Sequence, residues 1–199
     1  EVSLSSNNEN TSLGKASNEV TITVRTSEPV RDLRASDFGL SSELEDITVS
    51  KTDDSGMEWK AVGTVSSLAC GFVKFSLQVT DRAGNQGVSV TQTTDQSSVE
   101  IDTSAPVLQN LLLVSDNSED SQTQAKAGDN ITLSFDSSET LQKPVVTLSG
   151  NPLEVVDTSS GAGTSWQATY EVESGDSGEV SFSIDYKDLA LNVGIQKTS

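Results

Sequence analysis

The side chains of this chain that could do chemistry are almost all carboxylates. Its 199 residues include 30 Asp and Glu, 12 Lys and Arg, one Cys and no His, and the formal net charge is −18. The lack of histidine excludes a Ser-His-Asp triad, a Cys-His pair and an imidazole metal site. One cysteine allows neither an intrachain disulfide nor a zinc cluster. The strong negative charge repels phosphate backbones, so we expect no nucleic-acid partner.

One group of oxygen-bearing side chains has the chemistry that calcium prefers, since Ca²⁺ takes about six to eight oxygens from carboxylates, amides and carbonyls. The tentative ligands are Glu28, Asp81, Asn85 and Asp102, with Glu139, Asp188 and Asn192 as counterparts in the second half of the chain. The structural alternative is a tight turn at residues 81–85, in which Asp81 accepts backbone hydrogen bonds and Gly84 takes a positive φ. No DxDxDG loop is present, so the sequence favours the turn and leaves calcium as the second interpretation.

The other acidic runs, at residues 43–46, 53–54 and 116–120, predict solvated loops. A hydrolytic pair of carboxylates needs a cleft, which a narrow β-sandwich seldom offers. We therefore predict no catalytic residue and no enzyme activity.

Two Asn-x-Ser/Thr sequons begin at Asn10 and Asn130. In a eukaryotic secreted protein these residues are candidate glycosylation sites. Asn10 is the better candidate, because it lies in a loop rich in Ser and Asn.

The elements that position these residues are predicted to be β-strands. Apolar and polar residues alternate at residues 20–24, 73–79, 131–135 and 180–186, as they do in strands with one buried face. No capped helical pattern is present, and the longest apolar run is residues 111–114, so we expect no direct insertion into a membrane.

The chain is an internal duplication. Residues 58–87 match residues 165–194 with a shift of 107, and twelve of these thirty positions are identical. An earlier block, which includes residues 20–22 and 131–133, matches with a shift of 111. The first copy therefore carries four extra residues between Val30 and Trp59. Since Trp59 matches Trp166, we predict that both tryptophans fill the core of their copy.

The duplication predicts an all-β chain of two tandem immunoglobulin-like β-sandwich domains, placed end to end at residues 1–105 and 106–199. Pro106 restricts the backbone at the boundary. The second copy ends before a counterpart of the strand predicted at residues 99–102. We therefore expect its final strand to be missing and one sheet edge to be exposed.

Five features resemble a known class of repeat. They are Asp-Thr-Ser-Ala-Pro at residues 102–106, Ala-Gly-Asp-Asn-Ile-Thr-Leu-Ser-Phe at 127–135, Ser-Glu at 27–28 and 138–139, Trp-x-Ala at 59–61 and 166–168, and Asp-Arg-Ala-Gly-Asn at 81–85. Together they resemble the immunoglobulin-like repeats of very large surface proteins, which include bacterial adhesins and the giant surface or flagellar-hair (mastigoneme-type) proteins of algae and protists. Leu191 departs from this pattern, because it replaces the glycine of the turn. A left-handed leucine costs about 1–2 kcal/mol, so we expect the second turn to be built differently.

The resemblance implies an extracellular, non-catalytic spacer or filament subunit, whose partners are neighbouring repeats of the same chain or other copies in a filament. Two hosts remain open, a bacterial adhesin stalk and a eukaryotic surface filament. The alternatives are a carbohydrate- or protein-binding module and a calcium-stiffened adhesin repeat. Ca²⁺ is the one cofactor that the sequence leaves open.

Overall fold

A computed structural model describes residues 1–117 and 122–199 and confirms that the chain is all-β. It divides into two compact units, Glu1–Thr103 and Ser104–Ser199, here called unit 1 and unit 2. The helical structure of the described residues is limited to one short 3-10 turn at Ala35–Phe38. None of it has the length and apolar character of a membrane-spanning helix.

Unit 1 contains two sheets, as a β-sandwich does. Its strands are β1 Val2–Ser6, β2 Leu13–Gly14, β3 Glu19–Arg25, β4 Leu44–Lys51, β5 Glu58–Val65, β6 Cys70–Phe72 and β7 Glu100–Asp102. One sheet has the order β1-β3-β5-β4 and the other the order β2-β7-β6. Within the second sheet β2 and β7 are parallel, and β6 and β7 are antiparallel.

Apolar and polar residues alternate along the strands of unit 1, and the apolar side chains form its core. In β3 the side chains of Val20, Ile22 and Val24 are buried, while the residues between them are Thr. Val24 lies opposite Trp59 of β5 in the antiparallel register, and both belong to one apolar cluster.

Unit 2 repeats the first sheet of this plan, but its second sheet consists of different strands. Its strands are β8 Leu108–Ser115, β9 Asn130–Ser137, β10 Val145–Leu148, β11 Asn151–Leu153, β12 Val155–Asp157, β13 Ser165–Glu171, β14 Phe182–Asp185 and β15 Lys197–Thr198. The sheets have the orders β12-β13-β9-β8 and β11-β10-β14-β15. Trp166 lies opposite Phe135, as Trp59 lies opposite Val24.

A buried serine marks the same position in each unit. Ser6 lies opposite Val20, and Ser115 lies opposite Ile131. Each serine Oγ accepts a hydrogen bond of 3.1 Å from the backbone N–H two residues ahead. The equivalence of Ser6 and Ser115 is therefore fixed by the register of β1 and β8.

The alternating segment at residues 73–79, predicted to be a strand, does not form a regular one. The regular strand β6 ends at Phe72, and the pairing beyond it consists of isolated bridges between Leu77 and Val90 and between Thr80 and Gln86. The 3-10 turn of unit 1 supplies part of the reason. Its Phe38 carbonyl accepts from Ser76 N–H at 2.9 Å, where unit 2 has β10 paired with β14.

Candidate functional site

Trp59 and Trp166 lie in the two cores, with 3% and 6% of their surface exposed. Each indole Nε1 donates a hydrogen bond of 3.2 Å to a carbonyl three residues earlier, that of Gly56 or Gly163. A buried indole thus has its polar N–H satisfied. Neither tryptophan presents a face on which a sugar ring could stack.

An aspartate organises the chain before each tryptophan, Asp53 of the predicted acidic run 53–54 in unit 1 and Asp157 at the end of β12 in unit 2. Asp53 accepts from Ser55 Oγ and from the N–H of Glu58, and Asp157 accepts from the N–H groups of Ser159 and Gly163. The serine hydrogen bonds are the main reason why the pKa of each carboxyl lies below its ordinary value. Both aspartates cap backbone N–H groups, although Asp53 was predicted to lie only in a solvated loop. The predicted run at residues 116–120 lies partly outside the described residues.

The Asp81 turn has the geometry that the sequence predicts for it. Asp81 Oδ1 accepts from the N–H groups of Gly84 and Asn85 at 2.6 and 2.8 Å, and its Oδ2 accepts from Asn85 Nδ2 at 2.7 Å. Gly84 has a φ of 102°. The hydrogen bonds to Asn85 come first among the causes that hold the pKa of Asp81 below its ordinary value.

The expectation that the second turn is built differently is wrong. Leu191 keeps a positive φ of 72°. Asp188 accepts from the N–H and the Nδ2 of Asn192, both at 2.8 Å, and its own N–H donates to the Asn192 carbonyl at 3.1 Å. The hydrogen bonds of a buried carboxylate, only 1% exposed, hold the backbone in the same turn despite the strain of leucine.

The predicted calcium ligands are partly brought together. In unit 2 the carboxylate oxygens of Glu139 and Asp188 lie within 4.8 Å of each other. In unit 1 Glu28 precedes Val30, which forms a β-bridge with Asp81, while Asp102 lies in β7. Unit 1 is fully described, and no three of its Asp, Glu or Cys side chains meet this distance limit by themselves.

The two sequons differ in their surroundings. Asn10 lies exposed in a turn, where its Oδ1 accepts from the N–H and Oγ of Ser12. Asn130 begins β9, and its Nδ2, the atom that would carry a glycan, donates to Asp116 Oδ2 at 2.8 Å. The structure therefore favours Asn10 as the acceptor.

Acid should weaken unit 1 through Asp81. Because the pKa of Asp81 is lowered in the folded state, the carboxylate stabilises the fold at pH values above its pKa in the unfolded chain, which is close to the ordinary 3.8. That stability is lost as the pH falls through the folded pKa. We expect the unfolding midpoint of Asp81→Asn in urea to fall less between pH 5 and pH 2 than that of the parent chain. Asp81→Ala loses these hydrogen bonds at every pH, so its unfolding midpoint should lie below that of the parent chain over the whole range. An identical acid response in Asp81→Asn would contradict the assignment.

No family model and no curated protein matches this chain. Among solved structures, the endo-fucoidan hydrolases MfFcnA4 and MfFcnA9 of glycoside hydrolase family 107 are similar to it at 14% identity, with TM-scores of 0.29 and 0.30. The matches cover 94% and 99% of this chain but only 26% and 33% of those chains. The chain thus spans about a third or less of their length. Similarity this low carries no inference about fold or activity.

Proposed function

We propose that this chain is a non-catalytic structural segment of a large extracellular surface or filament protein. In this role, tandem immunoglobulin-like β-sandwiches serve as spacers or filament subunits. Three features recur in both units. They are the hydrogen bond from the tryptophan Nε1 to a carbonyl three residues earlier, the buried serine and the Asp–Asn turn. Repetition of structural devices, with buried rather than exposed tryptophans, supports a spacer more than a binding module.

The observation that carries this proposal is the parallel pairing of β2 with β7 in unit 1. Leu13 lies opposite Glu100 and Gly14 opposite Ile101. Force applied at the two ends of the unit pulls parallel strands in opposite directions along their axes. The hydrogen bonds between them are then loaded together in shear, instead of opening one after another. Such a pairing suits a unit that carries tension between its termini.

Pulling the chain by its ends should therefore give two unfolding events, with unit 1 breaking at the higher force. Unit 1 has 103 residues, so its unfolding should release about 340 Å of chain. Glu100 N–H donates to the Ser12 carbonyl at 2.9 Å, and Glu100→Pro removes this donor. We expect Glu100→Pro to lower the force at which unit 1 unfolds and Glu100→Ala to leave that force nearly unchanged. Equal forces for both variants in single-molecule measurements would count against a shear-loaded clamp.

A calcium-stiffened repeat is the second candidate, and the Glu139–Asp188 pair favours it. Two carboxylates this close, one of them buried, would repel each other less with a cation between them. Glu28 occupies the matching position in unit 1, so Glu28→Gln is a natural control for Glu139→Gln.

Millimolar Ca²⁺ should raise the melting midpoint of unit 2 if this pair binds it. Extracellular calcium modules have dissociation constants of about 10⁻⁴–10⁻³ M, so 5 mM Ca²⁺ would add roughly 1–2 kcal/mol. We expect scanning calorimetry to show this rise over an EDTA sample for the parent chain and for Glu28→Gln, but not for Glu139→Gln. A midpoint that is the same in EDTA and in Ca²⁺ would reject the calcium candidate and leave the spacer proposal intact.

A further inference from the structure

Unit 2 contains an open groove of about 790 Å³. One wall is formed by residues 122–125 and another by residues 176–180, and the buried side chains of Leu148 and Val172 also line it. Neither wall belongs to a strand of the structure. The groove is thus bordered by two segments of backbone that lie outside the sheets.

The internal duplication identifies both walls. The shift of 111 places β2, Leu13–Gly14, on residues 124–125, and the shift of 107 places β6, Cys70–Phe72, on residues 177–179. In unit 1 these two strands lie on either side of β7, Glu100–Asp102. The groove of unit 2 therefore lies where unit 1 has a strand.

The side chains around Val99 support the same correspondence. A β-carbon built on Gly14 would lie 3.5 Å from Val65 Cγ2, 3.7 Å from Ser6 Oγ and 3.7 Å from Val99 Cγ1. These distances place Val65, Ser6 and Val99, the valine that precedes β7, around Gly14. Gly14, Val65 and Ser6 each have a counterpart in unit 2. Their counterparts in unit 2 all line the groove, and they are Ala125, Val172 and Ser115.

Residues that β7 covers in unit 1 are more exposed at the matched positions of unit 2, as expected for a strand site that is not filled. Gly14 is buried in unit 1, while its counterpart Ala125 is exposed. Val73 is 7% exposed and its N–H donates to the Val99 carbonyl at 2.9 Å, while its counterpart Val180 is only half-buried. In unit 1 the covering side chains are Val99 and Ile101, which are 0% and 2% exposed.

The last strand of the described unit 2 does not supply this cover. β15, Lys197–Thr198, pairs with β14, and Lys197 lies opposite Ile184. The shift of 107 places Lys197 on Val90, which bridges Leu77 in the same way. β15 is thus the counterpart of the segment around Val90, and the position of β7 stays open.

We propose that this groove is the acceptor site for one extended peptide strand with the chemistry of residues 99–102, Val-Glu-Ile-Asp. The strand would run parallel to residues 124–125 and antiparallel to residues 177–179. Its two β-branched side chains would point inward, because alternate residues of a strand face the same side. The correspondence with β7 and the buried side chains of Leu148 and Val172 in the groove define this partner, whatever the role of the whole protein. A filled groove would also give unit 2 the parallel strand pair that unit 1 has.

The first test appends residues 93–103 of this chain after Ser199, which reproduces the spacing of unit 1. We expect the melting midpoint of unit 2 in the full chain to rise by about 5–10 °C, with that of unit 1 unchanged. The control extension changes the order Val-Glu-Ile-Asp to Glu-Val-Asp-Ile. This keeps composition and charge but turns the apolar side chains to the other face. An equal rise from the control, or no rise from either extension, would overturn the proposal.

The second test adds a free peptide with the sequence of residues 96–103 to the full chain, and follows amide chemical shifts by NMR. We expect saturable shifts at residues 124–125 and 177–179, and none of them with the reordered peptide. Ala125→Arg, a change at an exposed residue, should abolish them while the chain stays folded. Shifts confined to unit 1 would overturn the proposal. So would concentration-dependent dimerisation of the unmodified chain through residues 177–179, since the occupant would then be a second copy.

Discussion

Replacing Trp59 with alanine should destabilise unit 1 by about 3–5 kcal/mol. The side chain is 3% exposed and packs in the apolar cluster of the unit, where residues of both sheets meet. Its removal leaves a cavity and takes one hydrogen bond from the Gly56 carbonyl, which still accepts from Val30 N–H at 3.2 Å. Trp59→Phe keeps an aromatic ring but not the N–H donor, so we expect it to cost less than half as much.

The chain offers an internal reference for this measurement. It has two tryptophans, so in Trp59→Ala the fluorescence reports only Trp166 and hence unit 2. Urea unfolding followed by circular dichroism should show an early transition for unit 1. The fluorescence transition of Trp166 should stay where it is in the parent chain. A chain that unfolds at the parent's midpoint by both signals would show that Trp59 contributes little to the core.

Alternation and duplication were enough to predict the all-β architecture. In β3, Val20, Ile22 and Val24 bury one face as their spacing requires. The same logic fails at residues 73–80, where the alternating side chains Phe75 and Leu77 are buried but the backbone forms only isolated bridges. Periodicity reports which side chains are buried, whereas regular strand pairing depends on a neighbouring segment that the local sequence does not contain.

The candidate site shows a second limit of sequence reasoning. The Asp81 turn follows from residue types, because Asp, Gly and Asn each have a local role in it. At Leu191 the local preference argues against the turn, yet hydrogen bonds from Asn192 to buried Asp188 impose it. The cap made by Asp53 was not predicted, because the sequence of an acidic loop is the same whether or not its carboxylate accepts hydrogen bonds from backbone N–H groups.

The second large effect is expected at Gly194, where glycine is required by a neighbour rather than by its own backbone. A β-carbon built there lies 2.7 Å from Tyr186 Cδ2 and closer still to Cε2 and Cζ. Tyr186 is buried, so its ring has little room to move. We expect Gly194→Ala to destabilise unit 2 by about 2–3 kcal/mol in urea unfolding, as overpacking does.

Unit 1 supplies the control for this prediction, because Gly87 matches Gly194 and Val79 matches Tyr186. A β-carbon on Gly87 would lie 3.4 Å from Val79 Cγ2, which is an ordinary contact, so Gly87→Ala should change stability by less than about 1 kcal/mol. If a clash with the Tyr186 ring is the only reason for the glycine, Gly194→Ala should destabilise unit 2 much less in a Tyr186→Val background than in the parent chain. The coupling energy from this double-mutant cycle measures the dependence directly. Additive effects would mean that the glycine is needed for another reason. A strong coupling would show that Gly194 is required because of Tyr186, the residue that differs at this position between the two copies.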